Sequence, residues 1–197
     1  MSMRLDLAGF KLAKLRKILG GGEAAVVSAL EAKLAREAKR RSAWGLDRPQ
    51  FAEAFGAALR RAVESGAPFD DLDREEPVHA VLADWLVARS GRRAASDGDF
   101  KYLPLMDLLG AAEASDHGLR EKLGHLLEGR PLFGRRLPEA PIYGYLSRRE
   151  ASEVCRRLEA LADGGDGDPD AAEMAADLAE QLGEIVEESL DVWAFIA

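Results

Sequence analysis

The chain has 197 residues, 47% of them hydrophobic and 31% charged, with one cysteine and a formal net charge of −8. That size and mixture suit a single globular domain over 1–197, and they exclude a disordered chain or a disulfide scaffold. No apolar run approaches the roughly 20 residues of a membrane span and no signal-peptide core precedes Asp6, so a cytoplasmic protein without membrane association is expected.

In chain order, Met3, Leu5 and Leu7 alternate with Arg4, Asp6 and Ala8, the period of a strand with one buried face. Leu12, Leu15, Ile18 and Leu19 then recur at helical spacing until Gly20-Gly21-Gly22 stops them. Glu23 to about Arg41 restarts a helix, striped by Val27, Leu30 and Leu34; Lys39-Arg40-Arg41 complement its negative end. Asp47 and Pro49 open a helix with Phe51, Phe55 and Leu59 on one face, and Pro77 opens another with Val78, Val81, Leu82 and Trp85. Residues 91–100 read as a polar loop. Pro104 opens a helix carrying Leu105, Leu108 and Leu109, and Gly118 interrupts the next before Leu119, Leu123, Leu126 and Leu127.

The second half is better marked. Ile142-Tyr143-Gly144-Tyr145-Leu146 suits a short strand. Ser147 and Glu150 have capping-box spacing, so a helix starts there with Ala151, Val154, Cys155, Leu158 and Leu161 inward. An acidic loop follows, and Asp168 or Asp170 beside Pro169 starts the last helix, which buries Met174, Leu178, Leu182, Ile185 and Val186. Val192–Ile196 is an apolar run that needs cover and docks as a strand. The expected fold is α+β and predominantly helical. About seven or eight helices surround a small sheet formed by the N-terminal strand, the 142–146 strand and the C-terminal strand.

Motifs for chemistry are sparse. The triple glycine follows a helix and precedes Glu23, so it lacks the grammar of a phosphate loop. Asp166, Asp168 and Asp170 have the spacing of a calcium loop, but Ala171 stands where glycine is needed. Glu121 and His125 share a helix face without an HExxH pattern, so no metal site and no cofactor are expected. Cys155 lies on an apolar face and reads as a core thiol; no catalytic residue is assigned. Tyr143, Tyr145, Arg135 and Arg136 flank the proline-rich connector beside the strand and form a candidate small-ligand or enzyme site.

Charge gives the other reading. Residues 1–50 hold eleven Lys/Arg against five Asp/Glu, whereas residues 158–197 hold twelve Asp/Glu and no Lys or Arg. The basic helices could touch phosphates, but nucleic-acid readers are usually basic overall and this chain is acidic. The acidic end favours a non-enzymatic, immunity- or regulator-type protein that binds a basic protein partner. Its candidate contacts are Asp166, Asp168, Asp170, Glu184, Glu187 and Glu188.

The run Tyr143-Gly144-Tyr145-Leu146-Ser147-Arg148-Arg149-Glu150, a strand leading into a capped helix, resembles a signature of small bacterial proteins that include the YfbM-like families. The Met-rich opening and the apolar end are similar too. The resemblance implies an α+β fold and a cytoplasmic bacterial protein, and it carries no catalytic residues across.

Overall fold

The computed structural model describes residues 4–18, 27–29, 32, 53, 56–60, 63, 87, 90, 100–130, 142–164 and 168–196, with backbone only at Arg4, 101–103, Ile142 and Tyr143. The chain gathers into two compact units. One comprises Met1–Lys11, Gly91–Leu132 and Arg136–Ala197; the other comprises Leu12–Ser90 and Phe133–Arg135.

The first unit holds the sheet. β1 (Arg4–Phe10) and β3 (Ile142–Leu146) both pair antiparallel with β4 (Asp191–Ile196), which therefore lies between them. A two-residue strand, β2 (Phe100–Lys101), extends the other edge of β1, giving the order β2-β1-β4-β3. This short strand falls in what reads from sequence as a polar loop; Phe100 is buried there and pairs with Leu5. The three main strands are those expected, and the fold is α+β and predominantly helical.

Register follows the apolar alternation. Leu5 faces Ile196 across the ladder, Leu7 faces Ala194 and Gly9 faces Val192. On β3, Gly144 pairs with Ala194 and Leu146 with Val192. This face of the sheet joins the main core, and that fixes the register, because a one-residue slip would turn all these side chains to the other side. The opposite face carries Phe10 and Trp193, whose rings meet edge-on at 6.0 Å, and Tyr145.

Among the described residues this unit has four helices: α2 (Tyr102–Ser115), α3 (His117–Leu127), α4 (Arg148–Asp163) and α5 (Pro169–Glu187). Leu105, Leu108, Leu119, Leu123, Leu126, Val154, Leu158, Leu178 and Leu182 from these helices are fully buried in one cluster with the sheet. Each such side chain contributes about 1.5–3 kcal/mol by leaving water. α2 starts at Tyr102, so Pro104 sits inside its first turn rather than opening it. The break between α2 and α3 is at Asp116, not Gly118. The Asp116 carboxylate accepts the Leu119 N–H at 3.1 Å and caps α3, while Gly118 continues the helix with the Arg157 guanidinium lying over it.

α4 starts as its sequence dictates. The Ser147 hydroxyl accepts the Glu150 N–H at 3.3 Å, and the Glu150 carboxylate accepts the Ser147 N–H at 2.8 Å. The Arg148 N–H goes to Asp191 Oδ1 at 2.9 Å, which ties this helix start to the start of β4. Asp168 caps α5 and Pro169 fills its first position. At the other end Ser189 takes φ 61, the Leu190 N–H reaches the Ile185 carbonyl and the Ser189 N–H that of Val186. That is a Schellman turn with serine where glycine is usual, and it swings the chain straight into β4.

In the second unit α1 (Leu12–Ile18) buries Leu12 and Leu15 as its periodicity predicts. Val27, Ala58, Leu59, Val63 and Val87 are buried there too. The triple glycine, Lys39-Arg40-Arg41 and the helix starts at Asp47 and Pro77 lie outside the described residues.

Candidate functional site

α5 divides cleanly by period. Ala171, Ala175, Leu178, Ala179, Leu182 and Ile185 are buried. Asp170, Glu173, Asp177, Glu180, Glu184 and Glu187 are exposed and recur every three or four residues along the outer ridge, with Glu188 as the C-cap. Carboxylates at i, i+3 and i+4 are neighbours on a helix, and each like-charged pair costs about 0.2–0.5 kcal/mol. Glu184, Glu187 and Glu188 also crowd the negative end of the helix dipole, where cations are favoured, and the last turn has no basic residue. The ion pairs seen among the described residues belong to α2, α3, α4 and Arg130, not to Asp170, Glu173, Asp177, Glu180, Glu184 or Glu187.

At the start of α5 the core opens to the surface. Ala111 of α2, Leu161 and Ala162 of α4, and Asp168, Pro169, Ala171 and Ala172 line an apolar cleft of about 210 Å³. Leu161 and Ala162 are half-buried, with their inner sides on the main core.

A second polar cluster lies where β3 meets α4. Arg130 Nη1 donates to Glu150 Oε2 at 2.9 Å and to the Tyr145 carbonyl at 3.4 Å, and its guanidinium carbon sits 4.6 Å from the centre of the Tyr145 ring. The Ser147 hydroxyl also donates to Glu150 Oε2, at 2.7 Å. Burial alone would raise the Glu150 carboxyl, but the hydrogen bonds from Arg130 and Ser147 and the Arg130 charge outweigh it and hold the group at about 2. His125 stands near this cluster with Nδ1 enclosed and without a hydrogen-bond partner. Burial, then the Arg130 cation, lowers its pKa against the pull of Glu150 and Glu121, which favours the neutral ring. Gly144 makes the junction possible. A Cβ there would run into the His125 and Leu126 carbonyl oxygens and stand 2.7 Å from Leu126 Cα, so β3 crosses the end of α3 backbone against backbone.

A family model described as a domain of unknown function, DUF7691, matches residues 1–194. The chain belongs to the DUF7691 family. No curated protein and no solved structure matches it.

In this DUF7691 chain the sequence-predicted residues are distributed unevenly. Tyr145 is buried under Arg130 at the β3–α4 junction. Tyr143 pairs with Phe195 through its backbone; its side chain, Arg135, Arg136 and Asp166 lie outside what is described. Asp168 and Asp170 stand at the first turn of α5 and Glu184, Glu187 and Glu188 at its last, roughly 24 Å apart at helical rise. They are joined by Glu173, Asp177 and Glu180, which the sequence reading passed over although their spacing shows in the sequence. Asp168 serves as a helix cap, its Oδ1 accepting the Asp170 N–H at 3.1 Å. Glu121 and His125 share α3 as their spacing requires, and among the described residues no group of three His, Cys, Asp or Glu could hold a metal. Cys155 is buried, and burial followed by the nearby Glu159 pushes its thiol up to about 11. Arg130 gave no signal in the sequence. It lies twenty residues from Glu150, and only the return of β3 beside the end of α3 brings them together. Among the described residues no helix is long and apolar enough to cross a membrane.

Proposed function

We propose that this protein works without catalysis, as an immunity- or regulator-type protein that holds a basic protein partner against the outer ridge of α5. The observation that carries the reading is the ridge itself. Asp170, Glu173, Asp177, Glu180, Glu184 and Glu187 are solvent-facing, follow one line along the helix and have no cation opposite them among the described residues. A helix so charged is less stable alone than one with mixed signs, and a cationic surface laid along it relieves the repulsion. Complementary charge of this kind sets on-rate and partner choice, and its effect is salt-dependent. The run Ile142–Leu161 resembles YfbM-like bacterial families, and that resemblance brings no catalytic residue, in keeping with a binding role.

The test is capture from host extract on the immobilised protein, beside a variant in which Glu173, Asp177, Glu180 and Glu184 are replaced by their amides. A basic protein retained at low salt, released at high salt, and bound in purified form by the native chain but not by the variant is the expected result. Equal retention by both forms would show that the ridge is only a solvated surface.

A further inference from the structure

The cleft at the start of α5 says more about the partner, and this inference rests on the reading above. We infer that it seats one apolar side chain of the incoming protein, so the partner segment is a basic stretch with an aliphatic or aromatic residue set among lysines or arginines. Three features support this. First, the lining is apolar and small: Ala111, Ala162, Ala171 and Ala172 let an incoming group come close to the helix backbones, and Leu161 gives it a wall. Second, the volume is about 210 Å³, below the roughly 300–1,000 Å³ of small-molecule sites. It suits a single side chain, the anchor-in-pocket arrangement on which interface energy concentrates.

Third, the charge around the cleft selects the flanking residues. Asp168 is part of the lining, Asp163 follows Ala162 directly, and Asp170 precedes Ala171; all three are exposed. No Lys or Arg occurs anywhere in 158–197. An acidic or phosphorylated segment would be repelled here, whereas cations beside the anchor meet carboxylates at once. The carboxylates of the α5 ridge, Glu173, Asp177, Glu180 and Glu184, follow on the outer side of the same helix, so a basic segment anchored at the cleft meets them by passing around the first turn of α5. The cleft gives the register and the ridge gives the attraction.

Two lysine-rich peptides of identical charge, one with a central leucine and one with a central serine, separate these contributions. Each is titrated at low salt into the ¹⁵N-labelled full-length protein. The leucine peptide is expected to bind about tenfold more tightly, the worth of burying part of one such side chain, and to move the Leu161 and Ala172 amide signals. Ala172→Leu fills the cleft without changing charge and is expected to bring the leucine peptide down to the serine value. Ala111→Leu, from a different helix, should do the same and guards against a folding defect in either variant. Equal, salt-sensitive binding of both peptides overturns the anchor and leaves the acidic ridge standing. Binding of neither at low salt overturns both.

Discussion

Replacing Gly144 with alanine tests the junction on which the first unit is built. The added Cβ would lie 2.7 Å from Leu126 Cα and closer still to the carbonyl oxygens of His125 and Leu126. Carbon atoms rest about 3.5–4.0 Å apart, so the strand and the helix end must separate by about 1 Å. All three obstacles are backbone, so no rotamer change relieves the clash. β3 is also pinned, by its ladder to β4 and by the cap at Ser147. Moving it opens gaps beside Leu126 and Leu146, both fully buried. Overpacking costs about 1–3 kcal/mol where side chains can shift, and this case belongs at the upper end. The smaller entropy of the unfolded alanine chain returns about 0.5–1 kcal/mol. A net loss of about 2–2.5 kcal/mol is expected, or a fall of about 4–10 °C in Tm for a chain of this size. Urea and thermal unfolding, followed by circular dichroism and tryptophan fluorescence, measure it. Gly183→Ala is the control, because nothing lies within 4 Å of its added Cβ. Inside α5 it should stabilise by about 0.5–1 kcal/mol. A Gly144→Ala protein within about 0.5 kcal/mol of the native chain would refute the close crossing of β3 over α3.

Other outcomes follow from single contacts. Ser189 holds φ 61 at the end of α5, so Ser189→Gly should stabilise by about 1 kcal/mol, read as a shift of the urea midpoint at unchanged slope. Glu150 is lowered from 4.5 to about 2, and a depressed carboxyl contributes stability that is full above its unfolded value and lost as pH falls toward 2. With its side chain 24% exposed, solvent screening leaves about 1–2 kcal/mol of this contribution. Stability measured from pH 5 down to pH 2 should therefore fall less steeply in Glu150→Gln, which is already weaker at neutral pH, and parallel curves would refute the assignment. The Cys155 thiol, buried and pushed up to about 11, should react with a thiol reagent only when the chain unfolds; rapid labelling of the native protein would contradict its burial.

Local grammar and chain-wide pattern were legible wherever a residue's role depends on its near neighbours. The Ser147–Glu150 capping box, the Asp168-Pro169 start of α5, the buried face of α4, the alternation of β1 and the apolar run of β4 all formed as their residues predict. Spacing alone decides such features, because a helix or a strand puts fixed offsets on one side. The misplaced break before α3 has a local cause too. Glycine at 118 looked like the interruption, but Asp116 offers the capping oxygen, and a helix start is set by whichever group satisfies its free N–H donors.

The sequence by itself determined the α+β class, the three main strands, the caps of α4 and α5 and the acidic character of the last helix. Only the tertiary structure decided which distant residues meet. It set β4 between β1 and β3, brought Arg130 onto Glu150 and Tyr145, pressed Gly144 against the end of α3 and left the cleft open between α2, α4 and α5. The physical reason is that helical and strand periods assign a residue to a face, whereas the partner of that face is chosen by packing, which joins segments far apart in the chain and leaves no trace in either one alone.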